Sequence, residues 1–371
     1  MRIYNAAVFT DGAFTAGGID FDERIRACGA GITDGDLDAG GAYLIPGLVD
    51  IHTHAAMGED ASDGRPEGLQ ILGRWYASRG VTSWCPTTMT LQEPELTAAI
   101  RAICSYERPA DGARMAGIHL EGPFLSHAKC GAQNPENLHV PDIALFRRLY
   151  AQSGGRIRLL TAAPEEPGAT ELIREAARVC TVSLGHTAAD YETAAAGYAA
   201  GATHTAHLFN AMPSLQHRAP GVVGAAFDCG ATAEVICDGL HIHPAVVRMI
   251  FRLFGARTVL ISDSLRCTGM PDGVYMLGGQ QVCMQGGRAT LQGTDTLAGS
   301  CIHLLDGLRN AVSYGVPLEH AVTAATAAPA GVIGLEGEIG SIAPGLYADF
   351  LLLDAALRLQ AVYIGGRPVA V

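Results

Sequence analysis

The sequence predicts an α/β protein, a (β/α)8 TIM barrel with a small β-sandwich domain formed by both chain ends. The barrel is predicted by apolar, strand-like runs that are each followed by a helical stretch, namely GLVDIHT, VTSWCPTT, MAGIHLEG, RLLTAAPE, TVSLGHT, HTAHLFN, AEVICDG and TVLISDS. Strands joined by crossover helices form parallel sheets, and eight such units favour closure into a barrel. An open dinucleotide-binding sheet is disfavoured because no G-x-G-x-x-G fingerprint follows the first strand.

The two chain ends predict the accessory domain. Short β-type runs separated by Gly and Asp turns occur at both ends, RIYNAAVFT and AYLIPG at the start, LYADFLLLD and LQAVYIGGRPV at the finish. We therefore expect residues 1–46 and 338–371 to form one small β-domain beside a catalytic barrel of residues 47–337. The segment 272–292 predicts a hairpin inserted after the eighth barrel strand.

Composition excludes several classes of function. Apolar residues make up 49% of the chain and charged residues 17%, which predicts a large buried core. The net charge of −12 and the scattered basic residues argue against a nucleic-acid partner. No apolar run is long enough to span a bilayer, and the first residues lack the pattern of a secretory signal. The ten cysteines contain no C-x-x-C pair, so we expect a reducing, cytoplasmic location and no membrane partner.

The informative polar residues stand at the ends of the strand-like runs. They are His52, His54, Glu121, His186, His207 and Asp263. The carboxyl ends of barrel strands converge on one mouth, where active sites of this fold lie. Imidazole and carboxylate groups gathered there predict a metal site.

Each of these residues also has a structural alternative. His52 and His54 lie two apart on a strand, so both rings can face the barrel interior, but a single H-x-H also arises by chance. A carboxylate at Glu121 is costly to bury unless it binds a cation or pairs with an arginine from a neighbouring loop. The turn at Gly122 and Pro123 directs it across the mouth, which favours the metal.

His186 and His207 follow separate strands and complete a three-ligand site with Glu121. Each alone is more often a hydrogen-bonded core histidine, and only their joint placement favours the ligand role. The same placement is missing for a second set, His119, His204, His303 and His320. Asp263 follows the last strand, where a carboxylate beside a metal can accept a proton from water and deliver one to a leaving amine. Its alternative is a helix N-cap.

These motifs resemble the N-acetylglucosamine-6-phosphate deacetylase family of the amidohydrolase superfamily. The resemblance spans the chain and rests on HLEGPF, SLGHT, HLFNAM, DGLH and SDS in that order. It implies metal-dependent hydrolysis of the acetamide of N-acetyl-D-glucosamine 6-phosphate, with metal ligation by Glu121, His186 and His207. His52 and His54 match first-strand ligands that hold a second metal in members that keep them. It therefore implies one or two divalent ions such as zinc, iron or cobalt.

The resemblance also implies the substrate contacts. They are Ala132, Asn210, Ala211, Arg218, His241, Leu297, Ala298 and Gly299, with Arg218 and His241 holding the phosphate and the sugar. An arginine fork suits bidentate oxyanion recognition. Family members often take this arginine from the neighbouring subunit, which implies a homodimer.

Two departures bear on the mechanism. Gln133 stands where some members carry a histidine that polarises the acetamide carbonyl, which favours activation by a metal or by the glutamine. The only lysine, Lys129, lies outside the fourth strand, so a carboxylated lysine cannot bridge two metals there. Two alternatives remain open at this point, deacetylation of the galactosamine epimer and phosphosugar binding without turnover.

Overall fold

The predicted barrel is confirmed. The computed structural model describes residues 1–370 of the chain, and within them the predicted runs form the parallel strands of the barrel. The strands are Leu48–Thr53, Val81–Thr88, Ile118–Glu121, Ile157–Ala162, Thr181–Leu184, His204–Thr205, Thr232–Ile236 and Thr258–Ile261. Each pairs in parallel with the next in chain order. A short strand, Arg114–Met115, also runs parallel to the second barrel strand.

The first and last barrel strands meet through single backbone hydrogen bonds at their carboxyl ends. The amide of Asp263 donates to the carbonyl of His52 at 2.9 Å, and the amide of His54 donates to the carbonyl of Ser264 at 3.1 Å. The amide of Ala55 reaches the same Ser264 carbonyl at 3.0 Å. This closure holds the H-x-H pair beside Asp263.

Helices follow the strands as the sequence pattern predicts. Their bounds are Pro66–Ser78, Glu93–Cys104, Ile143–Gln152, Ala169–Ala176, Tyr191–Ala199, Gly221–Asp228, Pro244–Phe254, Leu304–Ser313, Leu318–Ala325 and Ala327–Val332. Two begin at aspartate caps, Asp142 and Asp190, whose side chains accept backbone N–H groups of the first turn. None of the helices in residues 1–370 is both long and apolar enough to cross a membrane.

Both chain ends join one mixed sheet. Its strands are Arg2–Thr10, Ala13–Phe21, Ile25–Gly29, Leu37–Asp38, Tyr43–Pro46, Phe350–Leu353, Leu359–Ile364 and Arg367–Val369. The two ends meet where Tyr43–Pro46 pairs antiparallel with Phe350–Leu353. Aromatic rings fill the core of the sheet, with Phe350 stacked on Tyr363 at 4.6 Å between ring centroids. The pairing of the ends is confirmed, and the domain boundaries at residues 46 and 338 stay a prediction.

The segment after the eighth barrel strand forms a three-stranded antiparallel sheet where a hairpin was expected. Its strands are Gly273–Leu277, Gln280–Gln285 and Arg288–Leu291. Apolar side chains of this sheet pack on Met89 and Leu265 beside the barrel mouth. The side chain of Gln280 donates to the carbonyl of Ala132 at 2.8 Å. The sheet therefore contacts the loop that follows Glu121.

Candidate active site

The six polar residues predicted at the strand ends lie together at the barrel mouth. Glu121 is central, because its Oε1 lies 3.1 Å from Nε2 of both His52 and His207, and 3.3 Å from His186 Nε2. Its Oε2 lies 3.3 Å from His54 Nε2. One buried carboxylate therefore faces four imidazole rings.

Asp263 stands beside this group. Its Oδ1 lies 3.4 Å from His54 Nε2 and 3.8 Å from His52 Nε2. Burial raises the pKa of Asp263, but the hydrogen bond with His54 and the charges of both histidines outweigh burial and hold the pKa below its ordinary value. Asp263 is therefore an ionised carboxylate at neutral pH and can accept a proton.

Backbone conformation directs three of these side chains into the mouth. His186, His207 and Asp263 have φ angles of 47°, 24° and 49°, in the left-handed region that residues other than glycine rarely adopt. Each lies two residues beyond the end of a barrel strand, so the chain turns sharply just past the strand end. Strained backbone of this kind persists where the surrounding structure holds it, which is common at functional sites.

The second nitrogen of three rings has a fixed acceptor. Nδ1 of His52 lies 2.8 Å from a Glu234 carboxylate oxygen, and Nδ1 of His54 lies 3.2 Å from the carbonyl of Thr87. Nδ1 of His186 lies 3.0 Å from the carbonyl of Lys129. Carbonyl and carboxylate oxygens only accept, so each Nδ1 carries the hydrogen. A neutral ring then directs its Nε2 lone pair towards Glu121.

This arrangement fits a metal ion. Lone pairs on several Nε2 atoms would otherwise face carboxylate oxygens, and among the described residues His52 Nε2 and His207 Nδ1 have no hydrogen-bond partner. Two triplets have ligand atoms within 4.8 Å of one another, one of His52, Glu121 and His207, the other of His52, His54 and Asp263. Imidazole and carboxylate donors suit zinc and related divalent ions.

Protons compete for the same lone pairs. Burial lowers the pKa of His54, but Asp263 and Glu121 outweigh burial and raise it to about 9. Burial also lowers the pKa of His52, but the carboxylates of Glu234 and Glu121 favour its charged form and outweigh burial. The pKa of His52 is therefore raised as well. Because a metal must displace these protons, binding is expected to release them and to strengthen as the pH rises.

A cavity of about 600 Å³ opens above the cluster, a size in the range of small-molecule sites. Its floor includes Glu121, His186 and Asp263. The predicted substrate contacts that line its walls are Ala132, Asn210, Ala211, His241, Leu297, Ala298 and Gly299. The structure thus brings seven of the eight predicted contacts to one cavity.

Arg218, the eighth predicted contact, lies elsewhere. It lines a separate surface pocket near Pro213 and Asp190, and its guanidinium lies 2.8 Å from Nε2 of its neighbour His217. Among residues 1–370, the lining of the main cavity includes Lys129 but no arginine. The structure therefore does not bring Arg218 to the cavity that holds the other seven predicted contacts.

His241 is held by a carboxylate that the sequence reasoning did not consider. Nδ1 of His241 lies 2.7 Å from Asp238 Oδ2, and both side chains are nearly buried. Asp238 also accepts the backbone N–H groups of Leu240 and His241. The DGLH turn therefore fixes the orientation of its own histidine.

Sequence reasoning also missed Glu234, on the seventh barrel strand. It is fully buried and contacts His52 and His204. His204, set aside from the sequence, belongs to this buried network and not to the metal cluster. The signal was available, because a carboxylate inside the apolar run AEVICDG carries the same burial cost that singled out Glu121.

The chain is similar to known proteins over most of its length. The amidohydrolase family model matches residues 43–369. An N-acetylgalactosamine-6-phosphate deacetylase of Escherichia coli O157:H7 is 37% identical over 328 residues, which is 87% of each chain. An N-acetylglucosamine-6-phosphate deacetylase of Vibrio furnissii is 35% identical over 90% of this chain and 84% of its own.

Solved structures are similar over the whole chain. A mutant of N-acetyl-D-glucosamine-6-phosphate deacetylase from Mycobacterium smegmatis, in complex with N-acetyl-D-glucosamine-6-phosphate, is 33% identical with a TM-score of 0.95. The comparison covers 100% of this chain and 99% of that one. The corresponding enzyme of Thermotoga maritima is 26% identical with a TM-score of 0.89, over 99% of both chains.

Proposed function

The chain belongs to the amidohydrolase family, and from that premise we propose that it is an N-acetyl-D-glucosamine-6-phosphate deacetylase. It hydrolyses the acetamide and releases D-glucosamine 6-phosphate and acetate. The observation that carries the proposal is the position of Asp263, an ionised carboxylate 3.4 Å from His54 Nε2 at the floor of a sugar-sized cavity. The relatives that act on phosphorylated N-acetyl sugars support the substrate class.

The metal ligands would be His52, His54, Glu121, His186 and His207. We favour two divalent ions over one because His52 and His54 add two ligands to the set of Glu121, His186 and His207, and because Glu121 faces both groups of histidines. When bound, a divalent ion supplies Lewis-acid activation of the attacking water and of the acetyl carbonyl oxygen. Zinc, iron and cobalt all suit these donors.

The protein residues move the protons. Asp263 accepts a proton from the water as its oxygen bonds to the acetyl carbon, and it then delivers that proton to the sugar nitrogen. The carbon–nitrogen bond breaks as the nitrogen is protonated, so a neutral amine and acetic acid form first. Acetic acid then passes its proton to the more basic amine, which gives acetate and the ammonium form of the sugar. One carboxylate therefore serves as base and then as acid.

The cavity walls position the sugar. Asn210, Ala211 and Ala132 would contact the acetamide sugar, as would the segment Leu297 to Gly299, while His241 would hold the ring or its phosphate. Because Arg218 lies outside its own cavity, we propose that the chain is a homodimer in which Arg218 binds the phosphate in the neighbouring subunit. We also propose a reducing, cytoplasmic location, which the scattered positions of the ten cysteines in the sequence support.

The galactosamine epimer is the second candidate substrate. One of the similar proteins is an N-acetylgalactosamine-6-phosphate deacetylase, and the two sugars differ at a single hydroxyl group. Wall contacts to that hydroxyl decide such a preference, because a site that hydrogen-bonds a substrate hydroxyl discriminates against an analogue that does not present one there. The ratio of kcat/KM for the two phosphosugars, measured on one preparation, decides between them.

The proposed activity is tested by acetate release from N-acetylglucosamine 6-phosphate, before and after chelation and after metal is restored. We expect release that chelation abolishes and that a divalent metal restores. N-acetylglucosamine without phosphate is the matched control and is expected to react poorly. Binding of the phosphosugar with no acetate release under any metal would overturn the proposal in favour of a non-catalytic binding protein.

A further inference from the structure

Glu234 lies fully buried beneath the metal ligands and accepts three hydrogen bonds. Its Oε2 lies 2.8 Å from His52 Nδ1 and 3.0 Å from the backbone nitrogen of His207. Its Oε1 lies 3.0 Å from His204 Nε2. Both carboxylate oxygens are thus engaged, which offsets the cost of burying the charge.

These contacts fix the orientation of His52. An ionised carboxylate cannot donate, so Glu234 requires the hydrogen of a neutral His52 to be on Nδ1. Nε2 of the same ring then presents its lone pair 3.1 Å from Glu121. Carboxylates that hold ligand histidines in this way set the tautomer and increase the basicity of the ligand.

His204 fixes Glu234 in turn. Its Nε2 lies towards the Glu234 carboxylate, and its Nδ1 lies 2.6 Å from the hydroxyl oxygen of Thr232. The ring therefore has a polar partner on each side and cannot turn without losing both. The carboxylate is held by a rigid neighbour, which in turn limits the movement of His52.

We propose that Glu234 is a positioning residue that enables the chain to hold a second metal ion, and that it acts through His52. His52 appears in both candidate ligand triplets, but its single Nε2 lone pair can bind only one ion. His52 and His54 are the ligands beyond Glu121, His186 and His207 that a second ion would use, so binding of that ion depends on the orientation of the His52 ring. The inference rests on the metal dependence in the proposed function. The H-x-H pattern names only the metal ligands. The proposal adds Glu234, which does not bind the ion itself but orients the ligand His52.

A double-mutant cycle separates this role from a general contribution to the barrel core. The chains are the unaltered protein, Glu234→Gln, His52→Gln and the double variant. Zinc per chain is measured after loading and dialysis, and binding of the second equivalent of cobalt is followed by its visible absorption. We expect two ions in the unaltered protein and one in each of the three variants.

The second ion should bind about 10- to 100-fold more weakly in Glu234→Gln, the usual effect of removing a partner of a ligand histidine. Because Glu234 acts through His52, adding Glu234→Gln to His52→Gln should change metal affinity no further. Asp50→Asn is the matched control, since Asp50 is another buried barrel carboxylate that accepts backbone N–H groups of His52 and Ser262 without touching the His52 ring. It is expected to retain two ions.

Thermal unfolding of each metal-free variant shows whether it is folded. Two tightly bound ions in Glu234→Gln would overturn the inference, as would a single ion in the unaltered protein. It would also be overturned if Glu234→Gln weakened metal binding as much in the His52→Gln protein as in the unaltered protein. These results do not depend on acetate release. A protein that binds two ions through this pair but releases no acetate would refute the proposed reaction and leave the inference intact.

Discussion

The side-chain nitrogen of Gln133 lies 2.6 Å from Glu121 Oε2. The side-chain oxygen of the same glutamine accepts the backbone N–H of Thr90 at 2.8 Å, so the amide orientation is fixed from both ends. Gln133 is 3% exposed. In this conformation one N–H of its amide supports the central carboxylate of the cluster.

Replacing Gln133 by leucine should lower activity by about 10- to 100-fold, the usual effect of removing a partner of a metal-binding group. The change keeps the approximate volume but removes the donor to Glu121. Steady-state kcat/KM and metal content report the effect. Asn134→Ala is the matched control in the same loop, because Asn134 caps the next turn and does not contact Glu121. Equal activity in Gln133→Leu and the unaltered protein would contradict this role.

Asp263→Asn should lower kcat by about 10²- to 10⁴-fold, since the amide cannot accept the water proton. The phosphosugar should still bind, because the cavity walls are unchanged, and calorimetric titration of the variant measures this. Asp295→Asn is the control, because Asp295 is a carboxylate that lines the same cavity but has no proposed role in proton transfer. A similar loss in both variants would show that charge in the cavity matters and that Asp263 is not a specific base.

The sequence predicted the fold and the ligand cluster because both depend on local patterns. Each apolar run followed by a polar residue marks a strand and its carboxyl end, and parallel closure then places His186 and Asp263 together. The role of Glu234 was not predicted because it lies within a strand and not at its end. Its partners, His52 and His204, are distant in sequence, so their contact exists only in the closed barrel.

Contacts made by loop residues were also not predictable from the sequence pattern. Gln133 was noticed as a substitution for histidine, but its hydrogen bond to Glu121 depends on how the loop after the third strand folds back. Arg218 was predicted as a phosphate contact, and its position outside the cavity follows from the course of the loop after Asn210. No periodic pattern describes either loop, because irregular segments are positioned by tertiary contacts.

Asp238→Asn should raise KM for the phosphosugar and leave kcat nearly unchanged. Asp238 fixes the His241 ring, which lines the cavity as a predicted sugar contact, so the change is expected to weaken ground-state and transition-state binding alike. Steady-state kinetics separate the two parameters. A fall in kcat with constant KM would place His241 in the chemical step.

The same variant should be less stable than the unaltered protein at neutral pH, by about 1–3 kcal/mol for a hydrogen bond to a charged group. Burial raises the pKa of Asp238, but the hydrogen bond and charge of His241 outweigh burial, so the folded pKa lies below the ordinary 3.8. The stabilisation is therefore fully present above the unfolded pKa and is lost as the pH falls through the folded value. Urea unfolding across the acid range should show the difference between the two proteins shrinking below about pH 4.

Arg218 and Asp263 should complement each other between subunits. Arg218→Ala should lose about 1.5–3 kcal/mol of phosphate binding, since the lost hydrogen bonds carry charge, and Asp263→Asn lacks the base. In a mixed dimer, the site that retains Asp263 in the Arg218→Ala chain receives an intact arginine from its partner. Random exchange of subunits makes half of the dimers mixed with one complete site each, so about one quarter of the unaltered activity should return.

Mixing the two variants after partial dissociation, and measuring acetate release per chain, tests this arrangement. Asp263→Asn mixed with Asp263→Asn and Arg218→Ala mixed with itself are the controls, and neither should gain activity. If Arg218 served its own subunit, a mixed dimer would contain one site without the base and one without the arginine, and activity would stay at the mean of the two parents. Recovery above that mean therefore requires the arginine to cross the interface, because no other combination in the mixture assembles a complete site.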